Sequence, residues 1–217
     1  MFVLLDRSMP KAAFFQSLGV FAVNEFLDSD LCRTIRAEMR RSQSTKPAKI
    51  VDNEGADRVD ETVRKVMQVN VSDASDCLVK QQLNNIRPKI EAHFGMQLGD
   101  CENPQFLAYQ EGDFFKPHTD SNSSPTACGY QLNRRVSLVL FLNGESSAAE
   151  PNGYAGGSLT FYGLLKQPPW EKCGFNIQGE TGLLVAFASD VYHEVTPVTE
   201  GMRFTMVTWF PLHQEMG

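Results

Sequence analysis

From residue 104 onward the sequence is a series of short β-like segments, and this feature limits the fold more than any other. The segments are QFLAYQ, RVSLVLFLN, GSLTFYG, GLLVAFAS and RFTMVTWF. Turn-rich loops separate them, and regularly spaced short strands with such loops are typical of sandwiches and jelly rolls. We therefore predict an α+β fold that is mainly β.

Two amphipathic segments precede these strands. DSDLCRTIRAEMRRS carries apolar residues at helical spacing behind capping Asp and Ser residues, and a second helix is predicted from Asp76 to His93. Residues 44–62 are polar and nonperiodic, which predicts a mobile surface loop, and VRKVMQVNV predicts one short strand. We expect both helices to pack on one outer sheet.

Length and charge limit the domain organisation and the partners. A chain of 217 residues with 42% hydrophobic residues is long for one typical domain and short for two. We predict one domain over residues 1–217, with a helical support region at 1–103 and a β core at 104–211. The formal net charge of −6 leaves no broad basic surface, so nucleic acid is not an expected partner.

Cysteines and apolar runs bear on location. Five cysteines occur without CxxC or paired spacing, which favours reduced thiols over a disulfide framework. Gln16 and Ser17 interrupt the apolar segment KAAFFQSLGVFAV, and no small-residue cleavage site follows it, so a secretory signal is not expected. No apolar run approaches the ~20 residues of a membrane helix. We expect a soluble, cytoplasmic protein that does not bind membranes.

The segment FKPHTD places a histidine and an aspartate two positions apart. In an extended segment such residues face the same side, so His118 and Asp120 would project together. Among the four histidines, His193 is the best third ligand, because it follows a buried-looking strand. Two imidazoles and one carboxylate leave metal positions open, which suits non-haem Fe(II) oxygen chemistry. The alternative is a surface hydrogen bond between His118 and Asp120.

Arg203 indicates a binding site for an anion. Alternation along RFTMVTWF predicts that one face carries Arg203, Thr205, Val207 and Trp209. If this face points inward, the guanidinium needs a buried anion, and its planar fork matches a carboxylate. A dicarboxylate cosubstrate would supply that group. The alternative is a solvent-facing arginine paired with Glu194 or Glu200.

Taken in order, these residues resemble a known family. The sequence resembles the 2-oxoglutarate and Fe(II)-dependent dioxygenases, most closely their prolyl 4-hydroxylase branch, through Tyr109, Gly112, Phe115, His118, Asp120, Arg135, Gly156, Gly157, His193, Arg203 and Trp209. The resemblance is close over residues 104–211 and looser over FAVNEFLDSDLCRTI. It implies that the β core is a double-stranded β-helix carrying a catalytic site.

The resemblance also implies the chemistry of that site. Fe(II) would be held by His118, Asp120 and His193, and the far carboxylate of 2-oxoglutarate would bind Arg203 with a hydroxyl from Thr205 or Tyr109. O2 would be consumed, and 2-oxoglutarate would yield succinate and CO2 while an aliphatic C–H bond is hydroxylated. The sequence leaves open whether ascorbate is needed to keep the iron reduced.

One position departs from the family pattern. In some relatives a tyrosine on the strand that carries LFLN also contacts the far carboxylate, whereas Phe141 stands at the comparable place here and has no hydroxyl. We expect Tyr109, in the strand before the triad, to supply this second contact. A core aromatic without such a role is the alternative reading of Tyr109.

Several functions remain compatible with the sequence. The leading interpretation is hydroxylation of a prolyl residue in a peptide or protein, and hydroxylation of a free amino acid or other small metabolite is the alternative. The sequence does not say whether residues 44–62 or 121–134 cover the substrate. A catalytically silent, cupin-like metal-binding or interaction module is disfavoured by Arg203, because a structural metal needs no dicarboxylate anchor. A zinc hydrolase is disfavoured because no HExxH motif occurs.

Overall fold

Short strands and two helices make up the fold. The computed structural model describes residues 15–16, 18–51, 56–121, 130–146, 152–165 and 173–213. Helices α1 and α2 span Ser29–Arg41 and Asp73–Phe94, and a 3-10 helix spans Tyr130–Asn133. The strands are β1 Phe21–Val23, β2 Thr45–Pro47, β3 Ile50–Val51, β4 Asp57–Arg58, β5 Arg64–Lys65, β6 Met67–Val69, β7 Gln105–Tyr109, β8 Phe114–His118, β9 Arg134–Phe141, β10 Tyr154–Gly156, β11 Leu159–Tyr162, β12 Phe175–Ile177, β13 Leu184–Ala188, β14 Tyr192–Val195, β15 Val198–Gly201 and β16 Arg203–Pro211.

Two antiparallel sheets form the body of the molecule. The larger sheet has the strand order β1-β13-β9-β16-β7-β6-β2, and the smaller sheet has the order β12-β11-β14-β8-β5. Two-stranded ribbons, β10-β15 and β3-β4, complete the pairing among the described strands. The fold is thus mainly β with two helices, and the facing sheets form the predicted double-stranded β-helix.

Both helices pack on the outer face of the larger sheet. The apolar cluster between helices and sheet includes Cys32, Ile35, Met39, Val79, Leu83, Ile90, Leu138, Leu140, Phe204, Met206 and Phe210. Asp28 caps α1 by accepting a hydrogen bond from Leu31 N at 2.8 Å. Ser72 caps α2 in the same way through Ser75 N, so this helix begins three residues before the predicted start. Neither helix in the described ranges has the length and apolar character that crossing a bilayer requires.

The central strands of the larger sheet present different residues to its two faces. On β9, Leu138 and Leu140 face the helices, whereas Val139 and Phe141 belong to the cluster between the sheets. Strand β16 alternates in the same way, with Phe204 in the helix-facing cluster. The opposite face of β16 carries Arg203, Val207 and Trp209, which line an internal cavity. This alternation follows the period of two that an extended strand imposes.

Residues before position 104 contribute strands to both sheets. Strands β1, β2 and β6 belong to the larger sheet, and β5 belongs to the smaller one. VRKVMQVNV therefore holds two strands rather than one, because the chain changes sheets after Lys65. The predicted loop at residues 44–62 contains β2, β3 and β4, while positions 52–55 lie outside the described residues. The division of the chain at residue 103 stays a prediction.

Candidate active site

The register of the smaller sheet places two histidines side by side. Strand β14 pairs with β8 so that His193 lies opposite His118, and their ring centroids are 4.3 Å apart. Phe115 stacks on the His118 ring at a centroid distance of 3.5 Å, and Phe187 contacts the His193 ring edge-on at 4.7 Å. Two histidines distant in sequence thus become neighbours within an aromatic frame that limits their rotation.

Asp120 lies just beyond β8, in a bend rather than in the extended strand that the sequence predicts. Its backbone N–H donates to Ser189 O at 2.9 Å, which ties this bend to the end of β13. Asp120 Oδ1 lies 3.5 Å from His118 Nε2, and Asp120 Oδ2 lies 3.6 Å from His193 Nε2. The structure therefore brings the three predicted ligands together, with their ligand atoms within 4.8 Å of one another.

Backbone carbonyls fix the second ring nitrogen of each histidine. His118 Nδ1 lies 2.8 Å from Lys116 O, and His193 Nδ1 lies 2.9 Å from Val191 O. Because a carbonyl oxygen only accepts, each Nδ1 carries the proton and each Nε2 keeps a lone pair on the side of Asp120. The distances from Nε2 to the carboxylate exceed the ~2.7–2.9 Å of a charge-assisted hydrogen bond. Three acceptors thus converge without a proton between them, which fits a metal cation.

The electrostatics favour the protonation states that metal binding needs. Burial, reinforced by nearby His118, lowers the pKa of His193 to about 4, although Asp120 opposes this shift. Burial disfavours ionisation of Asp120, yet its pKa is held well below the usual range by the two histidines and by a hydrogen bond from Ser137. At neutral pH the site therefore offers a neutral imidazole at His193 and an ionised carboxylate at Asp120.

These shifts predict that the metal-free protein loses stability in acid. Between about pH 6.5 and 4 the unfolded chain protonates His193 while the folded chain does not. The unfolded state then binds more protons, so the free energy of unfolding must fall as the pH drops through this window. The loss from His193 is at most about 3 kcal/mol, and the lowered pKa of Asp120 extends it to lower pH.

Urea unfolding of the protein in chelator, at several pH values between 7 and 4, measures this loss. His193→Gln cannot titrate, so its stability should vary less with pH than that of the wild type. His213→Gln replaces an exposed histidine and should keep the wild-type slope. A His193→Gln variant as acid-sensitive as the wild type would contradict the assignment.

Arg203 lies deep inside the barrel, with 1% of its surface exposed. It begins β16 opposite Tyr109 of β7. Its guanidinium carbon lies 4.9 Å from the centroid of the Tyr109 ring and 5.2 Å from that of Phe141. Nη1 donates to Thr205 Oγ1 at 3.3 Å, whereas Nε and Nη2 form no hydrogen bond with the described residues. A buried guanidinium with unused donors requires an anionic ligand.

One cavity joins the three acceptors to this arginine. Its lining includes His118, Asp120, His193 and Arg203. Most of the other lining residues are apolar, among them Leu107, Leu159, Val195 and Val207. A second cleft, lined by Lys49, Ile50, Val51, Val63, Arg64, Gln105, Phe115, Thr119, Arg134 and Trp209, also reaches His118 and Asp120. His118 and Asp120 therefore line both the cavity and the cleft.

The two hydroxyls predicted to assist Arg203 lie beside it but differ in what they can offer. Thr205 already accepts a hydrogen bond from the guanidinium, and Tyr109 presents its ring to the guanidinium.

Sequence reasoning missed Tyr154, which is fully buried close to Arg203. The available signal was a large aromatic residue just before Gly156 and Gly157, in an otherwise polar loop. The roles of all these residues stay predictions.

Comparison with known proteins agrees with this geometry. Residues 104–211 match the model of the 2OG-Fe(II) oxygenase superfamily. A PKHD-type hydroxylase of Shewanella oneidensis is 34% identical over 106 residues, which are 49% of this chain and 41% of that protein. A PKHD-type hydroxylase of Pseudoalteromonas atlantica is 30% identical over 110 residues, with the same coverage. The match thus spans less than half the length of these curated relatives.

Solved structures share nearly the whole fold. A Pseudomonas putida prolyl-4-hydroxylase has a TM-score of 0.68 and 25% identity, over 94% of this chain and 99% of that one. A Trichoplax adhaerens prolyl hydroxylase, solved with a peptide of hypoxia inducible factor, has a TM-score of 0.64 and 18% identity, over 92% and 86% of the two chains. The family match over the β core shows that the chain belongs to the 2OG-Fe(II) oxygenase superfamily, and the solved structures show the same fold.

Proposed function

We propose that this protein is an Fe(II)- and 2-oxoglutarate-dependent dioxygenase that hydroxylates a prolyl residue in a peptide or protein, releasing succinate and CO2. The observation that carries the proposal is one cavity lined both by three convergent acceptors and by a buried arginine. A metal site and a cation that share one cavity suit a dicarboxylate that binds to both.

The three acceptors and Arg203 each have a role in this proposal. His118 Nε2, His193 Nε2 and one Asp120 oxygen would hold Fe(II) and leave its other positions open. When bound, Fe(II) and 2-oxoglutarate would supply the electrons that activate O2, which is the oxidant, whereas the protein supplies position and environment. Arg203 would bind the far carboxylate through its free donors, with Thr205 fixing the orientation of the guanidinium.

The apolar walls give the cavity a second role. Leu159, Val195 and Val207 line the cavity that the three acceptors share with Arg203. Such walls exclude water from the reacting centre and strengthen the attraction between the guanidinium and a bound carboxylate. A silent metal-binding module would gain nothing from Arg203, because a buried charge without a partner costs stability. The enzyme interpretation is therefore favoured over the binding module.

The substrate is proposed from the relatives and from the second cleft. The Pseudomonas putida structure is that of a prolyl-4-hydroxylase, and it matches this chain along almost its full length. Ile50 and Val51 of β3 line the cleft from one side, and Trp209 lines it from within the barrel. Arg134 stacks over the Trp209 ring at 3.5 Å and pairs with Glu102 through two hydrogen bonds of 2.6 Å. This wall is firmly held and could support an extended peptide.

Location and reductant are further parts of the proposal. Cys32, Cys77, Cys101 and Cys173 are free thiols within the described ranges, and Cys128 lies outside them. Free thiols suit a reducing compartment, so we propose a cytoplasmic location. Ascorbate would serve to return oxidised iron to Fe(II), which an assay with and without it measures directly.

The decisive assay is succinate formation from 2-oxoglutarate on admission of O2 to protein loaded anaerobically with Fe(II). We expect slow succinate formation without substrate and faster formation with proline-containing peptides, which gain one oxygen atom by mass spectrometry. Stimulation by free amino acids and not by peptides would move the proposal to a small-metabolite hydroxylase. If the protein neither binds 2-oxoglutarate nor turns it over, a metal-binding module is favoured instead.

A further inference from the structure

We propose that the Tyr154 hydroxyl, together with Arg203, binds the far carboxylate of 2-oxoglutarate. This inference rests on the proposed function and deepens it, because it names the group that replaces the hydroxyl missing at Phe141. Tyr154 begins β10, which pairs with β15 so that Tyr154 lies opposite Gly201. The β15–β16 connection therefore brings Tyr154 next to the start of β16, where Arg203 lies.

The hydroxyl of Tyr154 is buried, and its proton has no acceptor. The residue is 0% exposed, and its oxygen lies against the Arg203 guanidinium but donates to none of the described residues. Nε and Nη2 of Arg203 are also buried and form no hydrogen bond with the described residues that meets normal geometry. Buried polar groups are nearly always hydrogen-bonded, so each orphan calls for a partner. Three orphaned groups on two adjacent side chains indicate that one ligand satisfies all of them.

Two glycines show how closely these side chains meet. Gly157 has a φ of +61°, and a Cβ there would lie 3.0 Å from Arg203 Cδ and 3.5 Å from Tyr154 Cε2. Gly179 lies against the other end of the tyrosine, where a Cβ would collide with Tyr154 Oη and lie 2.6 Å from Phe141 Cδ1. The Tyr154 hydroxyl thus lies beside the Phe141 ring, and glycine at both positions makes the room it needs.

The charge state of Tyr154 suits this role. Burial raises its pKa to about 12, and the neighbouring Arg203 opposes the rise. Tyr154 is therefore a neutral hydroxyl at physiological pH, able to donate to a carboxylate. Of the other two hydroxyl residues, Thr205 accepts from Arg203 and so helps to orient the guanidinium, and the Tyr109 ring faces the guanidinium as a cation–π partner.

Binding of 2-oxoglutarate to the Tyr154→Phe variant tests the proposal. Calorimetric titration into anaerobic, Fe(II)-loaded protein should show a Kd raised roughly tenfold to hundredfold, because a hydrogen bond to a charged group is lost. The metal-free variant should melt at the wild-type temperature or above it, because an unsatisfied buried hydroxyl has been removed. A purely structural tyrosine would instead lose thermal stability and leave the Kd unchanged.

Two controls separate the far carboxylate from the rest of the site. Tyr162→Phe removes a tyrosine hydroxyl that donates to Glu194 on the smaller sheet, and it should bind 2-oxoglutarate like the wild type. 2-Oxopentanoate lacks the far carboxylate, so Tyr154→Phe should bind it as the wild type does. Equal Kd values for 2-oxoglutarate in Tyr154→Phe and wild type would overturn the role of Tyr154. If Tyr154→Phe lost the same affinity for 2-oxopentanoate as for 2-oxoglutarate, the role of Tyr154 would be overturned too. If the wild type did not bind 2-oxoglutarate, the proposed function itself would be overturned.

Discussion

Replacing Asp120 with alanine is expected to abolish both Fe(II) binding and succinate formation. Asp120 supplies the only anionic ligand of the three, and its two oxygens lie 3.5 and 3.6 Å from the two histidine Nε2 atoms. Without it, two neutral imidazoles must hold a dication in a partly enclosed site. Even loss of an outer partner of a ligand costs about 10- to 100-fold in metal affinity, so loss of the carboxylate itself should cost at least about 100-fold.

Fe(II) affinity and 2-oxoglutarate turnover, measured on the same samples, test this expectation. Asp190→Ala removes an exposed carboxylate from the turn between β13 and β14, and it should leave both quantities unchanged. Asp120→Asn keeps the shape of the side chain and should fold like the wild type, so its loss of Fe(II) would not reflect unfolding. An Asp120→Ala protein that turns over 2-oxoglutarate without added ligand would refute the triad.

Replacing Arg203 with methionine is expected to remove 2-oxoglutarate binding while leaving Fe(II) binding in place. Methionine keeps much of the apolar stem, so the variant isolates the loss of the guanidinium. Truncating one partner of a buried charge pair costs about 2–5 kcal/mol, so the Kd for 2-oxoglutarate should rise at least about 30-fold. The metal-free variant should be as stable as the wild type or more stable, because the buried guanidinium has no anionic partner without ligand.

Arg36 provides a matched control on the other side of the larger sheet. It is 7% exposed and donates through Nη1 to Leu142 O. Arg36→Met should lower the free energy of unfolding, because the carbonyl loses its donor, and it should not change 2-oxoglutarate affinity. An Arg203→Met protein with wild-type affinity for 2-oxoglutarate would show that the dicarboxylate binds elsewhere.

The residues of the site were predictable where local pattern determines position. Alternation in β16 placed Arg203 on the inner face, and the pair at positions 118 and 120 pointed to a common ligand. Asp120 nonetheless reaches the site from a bend, held by Ser189, and not from an extended strand. The spacing gave the right partners although the local geometry differs, since a bend can turn the carboxylate toward both histidines.

Other features depend on contacts between distant segments, and pattern does not reveal them. Strands β2, β3 and β4 are two or three residues long and mostly exposed, so no hydrophobic period marks them. β2 is a strand because it pairs with β6 across the segment between them, and β3 and β4 are strands because they pair with each other. Tyr154 went unnoticed for a similar reason, because its proximity to Arg203 follows from the register of β10 with β15. Sequence reasoning favoured Tyr109 instead, because it precedes the triad along the chain.

The alternation along β16 also bears on how such a protein can diverge. Phe204 and Met206 pack on the side of the sheet that faces the helices, whereas Arg203 and Val207 face the cavity. Neighbouring positions on this strand are therefore selected for different properties. Substitutions at the first pair are expected to change the stability of the fold, and substitutions at the second pair are expected to change the shape and charge of the cavity. The lining of the cavity can therefore change while the side chains that pack against the helices stay the same, because the two sets of residues project from opposite faces of one strand.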